Sequence, residues 1–234
     1  IDTITGTDYA DIITGGAGVD IIAAGAGDDS VVYVATADLV AGSAVVDTID
    51  GEAGTGDAIH ISNNAGATFT LANSDDLARI SNVETITSVA TDQVISLTLH
   101  ADARADGFTT VDLSGDTDAT SNNVINATAI TGGGMTLTGS AGIDTITGTA
   151  GVDIITGGTG ADIIAAGADN DVIAYAATAD FVVGTAVVDT VDGEAGASDT
   201  ILISNNGAAA FTVANTHDLA RISNVETITS VATD

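Results

Sequence analysis

The chain contains no cysteine, no proline, no tryptophan and no lysine, and its only basic side chains besides histidine are Arg79, Arg104 and Arg221. Without cysteine there is no disulfide framework, no thiolate metal centre and no catalytic thiol. Without proline, the sharp turns fall to the 28 glycines. Aromatic residues make up only 3% of the 234, so the interior must be built from Ile, Val, Leu and Ala, which suits a narrow space between short stacked strands better than a bulky globular centre. Three arginines against 33 acidic residues give a formal charge of −30. That balance excludes a nucleic-acid binder and opposes an anionic membrane surface. No run of about 18 apolar residues occurs, so no membrane insertion is expected. With 45% hydrophobic residues the chain is far from a charged disordered segment. It should fold, provided something quenches its charge. Residue 1 opens within a pattern, without Met or a basic leader, which predicts an internal fragment of a longer protein.

What is present is repetition. Residues 1–92 recur as 143–234, with roughly 67 of the 92 positions matching without a gap and the identical run DLARISNVETITSVATD closing both. Residues 93–142 form a spacer between the copies. The reading is three segments, repeat copy 1–92, spacer 93–142 and repeat copy 143–234, in a parent expected to be an array with a period of 142 residues. Within each copy lies a finer period of nine. Asp2, Asp11, Asp20 and Asp29 are spaced by nine, as are Asp144, Asp153, Asp162 and Asp171, and an Ile or Val follows two places after each.

On a helix, residues nine apart fall half a turn out of phase, and the glycines oppose a helix in any case. A solenoid fits instead. Three residues after each Asp form a short strand whose middle Ile or Val faces inward, and a Gly-rich stretch turns the chain back. Two such units make a coil of 18 residues, so Asp2 should lie over Asp20 and Asp11 over Asp29, about 4.8 Å apart. The fold class expected is all-β, a right-handed parallel β-roll or β-helix solenoid, tandemly duplicated.

Stacked carboxylates repel one another and would open the solenoid unless a cation sits between them. Hard oxygen ligands select Ca²⁺, which accepts six to eight oxygens in flexible geometry, whereas zinc would want His or Cys. The candidate ligands are Asp2, Asp11, Asp20 and Asp29 with the turn carbonyls of Gly16, Gly18, Gly25 and Gly27. In the second block they are Asp144, Asp153, Asp162 and Asp171 with Gly142, Gly151, Gly158 and Gly160.

The runs GGAGVDIIA (15–23) and GGTGADIIA (157–165) resemble in full the nonapeptide G-G-x-G-x-D-x-U-x of the RTX, or repeats-in-toxin, calcium-binding β-roll family. Tyr9 and Asp169 stand where the third glycine belongs, and Ala24 and Ala166 where the first does. The resemblance covers residues 1–34 and about 139–176. It implies secretion by bacteria, commonly through type I export, with folding triggered by extracellular Ca²⁺.

After each block, the stretches from Asp47 to Asp57 and from Asp189 to Asp199 look like the looser segment that closes such rolls. Asp50, Glu52 and Asp57, with Asp192, Glu194 and Asp199, form either a further calcium site or a plain polar turn between two strands. The pieces at 94–99, 109–114, 123–130 and 135–139 alternate as further parallel rungs. With RISNVETIT (79–87 and 221–229) they resemble the solenoid parts of bacterial S-layer and surface repeat proteins. Arg79 and Arg221 are expected to pair with Glu84 and Glu226. No H-E-x-x-H, G-x-S-x-G or G-x-x-x-x-G-K motif occurs, and no enzyme is expected. The resulting expectation is a calcium-binding structural repeat of a secreted bacterial surface, matrix or filament protein. Its partners would be further copies of itself, with cell-surface glycan a second candidate. The alternative is the noncatalytic calcium-folding secretion tail of an RTX protease, lipase or toxin.

Overall fold

The structure is a computed structural model, and it describes residues 1–42, 44–62, 68–73, 75, 77–89, 94–183, 186–205 and 219–232. The expected parallel β-solenoid is what it shows. A ten-stranded sheet runs Ile12–Ile13, Ser30–Tyr33, Ala58–Ser62, Thr85–Val89, Thr110–Asp112, Thr136–Thr138, Ile154–Thr156, Val172–Tyr175, Thr200–Asn205 and Thr227–Ala232, each strand parallel to the next. The other face is divided. Four strands, Thr3–Thr5, Ile21–Ala23, Thr48–Asp50 and Ile80–Ser81, form its first part. Seven strands, Phe69–Leu71, Ile95–Thr98, Val124–Asn126, Thr145–Thr147, Ile163–Ala165, Thr190–Asp192 and Ile222–Ser223, form the second. Ile4 pairs with Ile22, Ile146 with Ile164 and Ile155 with Ile173, so coils of 18 residues stack in register.

Each inward residue stands on its counterpart in the next coil. Val31, Ile59, Ile86, Val111, Leu137, Ile155, Ile173 and Ile201 form one buried column. Leu97, Ile125, Ile146, Ile164 and Val191 form the opposing one. Between the columns there is room for branched aliphatics and for few rings. The pleat then sends the preceding residue of each strand outward, which is why Ile12, Ile21, Ile154 and Ile163 are exposed although isoleucine is apolar.

One departure from the nine-residue rhythm shapes both copies. A single helical turn, Thr36–Leu39, leads into an antiparallel pair Val40–Ala41 and Ala44–Val45, and Thr178–Phe181 with Val182–Val183 and Ala186–Val187 repeats it. This excursion inserts itself between two rungs, so the rung-to-rung spacing grows from 18 to 27 at Asp20 and Asp47. It packs Leu39, Val40 and Val45 into the core, and Phe181 meets Tyr175 edge-on at 5.1 Å.

Exchanging Ile164, 1% exposed, for Ala should lower stability in saturating Ca²⁺ by about 2–5 kcal/mol in chemical denaturation. Ile163→Ala, at a side chain 51% exposed, should change it by less than about 0.5 kcal/mol. Equal costs at the two positions would contradict the inward assignment.

Candidate metal centres

The strand-starting aspartates do more than stack. From Asp20 onward, each sends one carboxylate oxygen to the backbone N–H of the equivalent residue one coil earlier. On one edge, the Asp2 N–H donates to Asp20 Oδ1 at 2.7 Å and the Asp20 N–H to Asp47 Oδ1 at 2.8 Å. On the other, Asp11 donates to Asp29 at 2.8 Å, Asp29 to Asp57 at 2.7 Å, and Asp57 to Glu84 Oε2 at 3.0 Å. The second copy repeats both ladders, Asn123 to Asp144 to Asp162 to Asp189 and Asp153 to Asp171 to Asp199 to Glu226. The N–H at the head of a strand would otherwise lack an acceptor, so the side chain completes the rung that the backbone leaves open.

The other carboxylate oxygen divides the turns into two classes. Where the residue four places earlier bears a hydroxyl, it closes the turn. Thr7 donates to Asp11 Oδ2 through N–H and Oγ1 at 2.6 and 2.9 Å, Thr149 to Asp153 at 2.6 and 3.1 Å, and Ser140 to Asp144 at 2.5 and 3.0 Å. Where that residue is Gly16, Gly25, Gly158 or Gly167, the Oδ2 of Asp20, Asp29, Asp162 or Asp171 is buried without a hydrogen-bond partner. Gly16 and Gly158 take φ of 83° and 105°, a backbone only glycine adopts freely, so the turn folds over the carboxylate without providing a side-chain donor.

Burial of a carboxylate without a counter-charge raises its affinity for a proton. Desolvation, reinforced by the charges of Asp189 and Asp144, pushes Asp162 up to about 7 against the hydrogen bond from the Asp144 N–H. Asp171 is likewise pushed up to about 7 by burial, with Asp153, Asp199 and Asp169 adding to it. Asp144 and Asp153 are raised by burial as well, but the donors from Ser140 and Thr149 oppose the shift.

The sequence-derived candidates are thus brought together in pairs, rung upon rung, with Asp2 and Asp11 at the more open first coil. No three acidic or histidine side chains converge on one point among the described residues. Any ion must therefore draw part of its shell from main-chain carbonyls or water. Asp50 and Glu52 separate from Asp57: Asp50 Oδ1 accepts from the Glu52 N–H at 3.0 Å and from Asn82 Nδ2 at 2.8 Å, while Glu52 is exposed. Asp192 does the same with Glu194 and Asn224, and these donors hold its carboxyl below the usual range.

Some ladder members escape the nine-residue pattern. Asp47, Asp189, Asn123, Glu84 and Glu226 all serve as acceptors, and the signal that marks them is an acidic or amide side chain two places before a core aliphatic, as in Asp47-Thr48-Ile49. The expected ion pair at Arg79 is corrected by the same geometry. Glu84 is engaged by the Asp57 N–H, and Arg79 instead donates to the Asp47 carbonyl at 3.2 Å and to Thr48 Oγ1 at 2.9 Å. Arg221 turns to the Val188 carbonyl at 3.0 Å, with Glu226 held by Asp199.

Against known families, residues 1–31 and 138–173 match the RTX calcium-binding nonapeptide repeat in four copies. These two blocks are RTX repeats. No curated protein matches the chain as a relative. RTX repeats bind Ca²⁺, and the residues here fit that ion, since the orphaned Oδ2 atoms of Asp20, Asp29, Asp162 and Asp171 are hard, anionic and dry. Bound there, Ca²⁺ would supply the positive charge that the chain lacks.

A pH dependence follows for the metal-free RTX roll. Asp162 and Asp171 have folded-state values raised from 3.8 to about 7, so they hold protons in the fold that the unfolded chain has released. Their contribution to stability is full below the unfolded value and is lost as pH rises through about 7. In chelator, the thermal midpoint followed by circular dichroism should fall between about pH 4 and about pH 7, and excess Ca²⁺ should abolish that fall. A metal-free midpoint that is flat or rising across this window would contradict the assignment.

Proposed function

We propose that this chain, which binds calcium through its RTX blocks, is a structural repeat unit of a secreted bacterial surface, matrix or filament protein, one that folds on Ca²⁺ and joins copies of itself end to end. Proteins that carry RTX repeats are generally secreted by bacteria. The observation that carries the structural role is continuity. Strands of the first copy, the spacer and the second copy belong to one ten-stranded sheet, Thr85–Val89 pairing with Thr110–Asp112, Thr136–Thr138 with Ile154–Thr156, and so on without a change of direction. A repeat that stacks on its neighbour through the same rungs it uses internally can be extended indefinitely.

Calcium has two tasks in this reading. It offsets part of the −30 charge of the chain, and it fixes the Gly turns that have no hydroxyl to close them. Extracellular fluid rich in Ca²⁺ would then be the folding signal, with the interior of the producing cell keeping the chain open for export. Uncovered strand edges at the ends of a solenoid offer backbone donors and acceptors to another copy.

Light scattering and electron microscopy of a multi-copy chain with and without millimolar Ca²⁺ test the proposal. The expected outcome is elongated polymers that dissolve in chelator. A monodisperse monomer at high protein concentration in Ca²⁺ would favour the secretion-tail alternative.

A further inference from the structure

The loops from Gly51 to Asp57 and from Gly193 to Asp199 lie outside both segments that match the RTX repeat. Each nonetheless ends in a carboxylate with an orphaned oxygen. Asp57 is 2% exposed and Asp199 0%, and the Oδ2 of each has no hydrogen-bond partner. Each loop is stitched to the last RTX turn of its copy. The Gly27 N–H donates to the Ala53 carbonyl at 3.0 Å and the Ala53 N–H to the Gly25 carbonyl at 2.9 Å, and the Ala195 N–H donates to the Gly167 carbonyl at 2.9 Å. Those last turns end in Asp29 and Asp171, whose Oδ2 atoms are orphaned as well. Two unsatisfied carboxylate oxygens therefore belong to neighbouring rungs, coupled through the Asp29 N–H to Asp57 Oδ1 bond at 2.7 Å and its counterpart from Asp171 to Asp199 at 2.8 Å.

The main chain adds oxygens at the same place. A Cβ built on Gly54 would come within 2.6 Å of Asp57 Oδ2 and closer still to the Gly27 carbonyl oxygen. One on Gly196 would meet both Asp199 carboxylate oxygens at 2.6 Å and, closer still, the Asp169 carbonyl oxygen. Glycine at these positions lets the loop pack directly against a buried carboxylate and a carbonyl of the preceding turn, so that both kinds of oxygen lie side by side. Residue 27 is Gly in one copy and Asp in the other, yet both hold a left-handed backbone, φ 114° and 70°. The second copy keeps that carbonyl's turn although a non-glycine residue is strained there. By contrast Thr55 and Gly56 change freely to Ala197 and Ser198.

The geometry points to an additional Ca²⁺ site in each copy, held by Asp29 and Asp57 with the carbonyl of Gly27, and by Asp171 and Asp199 with the carbonyl of Asp169. It rests on the calcium reading of the adjoining RTX turns and extends ion binding one rung beyond them. Glu52 and Glu194, exposed on the outer side of the loops, are not among its ligands. Oxygen-only donors, two of them anionic, suit Ca²⁺ rather than a metal that requires nitrogen or sulfur.

Native mass spectrometry of the whole 234-residue chain in saturating Ca²⁺ tests the assignment. The variant D57N/D199N should carry two fewer ions than the unmodified chain, and E52Q/E194Q the same number. Asparagine keeps an acceptor for the N–H of Asp29 and Asp171, as Asn123 already does for the Ile95 N–H at 2.7 Å. An unchanged count in folded D57N/D199N overturns the site, whereas an unmodified chain that takes up no Ca²⁺ overturns the calcium reading beneath it. Should the variant fail to fold, carboxyl ¹³C spectra of the unmodified chain decide. Shifts of the Asp57 and Asp199 carboxyl carbons on Ca²⁺ addition support the site, and resonances that stay in place while those of Asp20 and Asp162 move overturn it.

Discussion

A carboxylate buried under the backbone N–H of the coil before it is the contact on which this solenoid turns. It satisfies the first amide of a strand, fixes the rise from one coil to the next and positions the inward aliphatic two residues later. The same contact places negative charge where water cannot screen it. Twelve aspartates are buried among the described residues, while the whole chain has three arginines. A hydrogen bond to one oxygen offsets only part of the desolvation of a carboxylate, so the second oxygen decides whether a coil is stable unaided.

The sequence answers that question differently from turn to turn. Thr7, Ser140 and Thr149 close their own turns with an N–H and a hydroxyl, and Tyr33 does so for Asp47 with a phenol at 2.7 Å. The glycine turns leave the oxygen bare, and there an ion would take the place of the missing donor. The spacer side has the least need: Asn123 accepts without charge, and where Met135 or Ile95 heads a strand there is no carboxylate at all, only the amide that donates to Asp153 or Asn123. Unpartnered carboxylate oxygens are thereby concentrated in the two RTX blocks and the loops that follow them, with a middle section held by aliphatic columns.

Much of this was legible in the sequence because a period of nine with Asp, Gly and Ile in phase admits few other structures. The stacking of Ile4 on Ile22 and Ile146 on Ile164 follows directly from that period. The helical turn and hairpin at 36–45 were not legible, since a four-residue helix and two-residue strands leave no periodic trace and are fixed by burying Leu39, Val40 and Val45 against Tyr33 and the core. Nor could spacing show that Glu84 would bind an amide rather than Arg79: the pairing depends on which groups the coil brings together across 27 residues. The split of Asp50 from Asp57 has the same origin, because the positive φ of Glu52, 63°, turns the chain between them.

Anomalous diffraction from crystals of the calcium-loaded chain tests the central claim most directly, because it locates ions turn by turn. Peaks should lie beside Asp20, Asp29, Asp162 and Asp171, whose second oxygens have no protein donor, and none should lie against the Oδ2 atoms of Asp11, Asp144 and Asp153 that Thr7, Ser140 and Thr149 already occupy. Ions spread evenly over both classes of turn, or absent from the glycine turns, would contradict it.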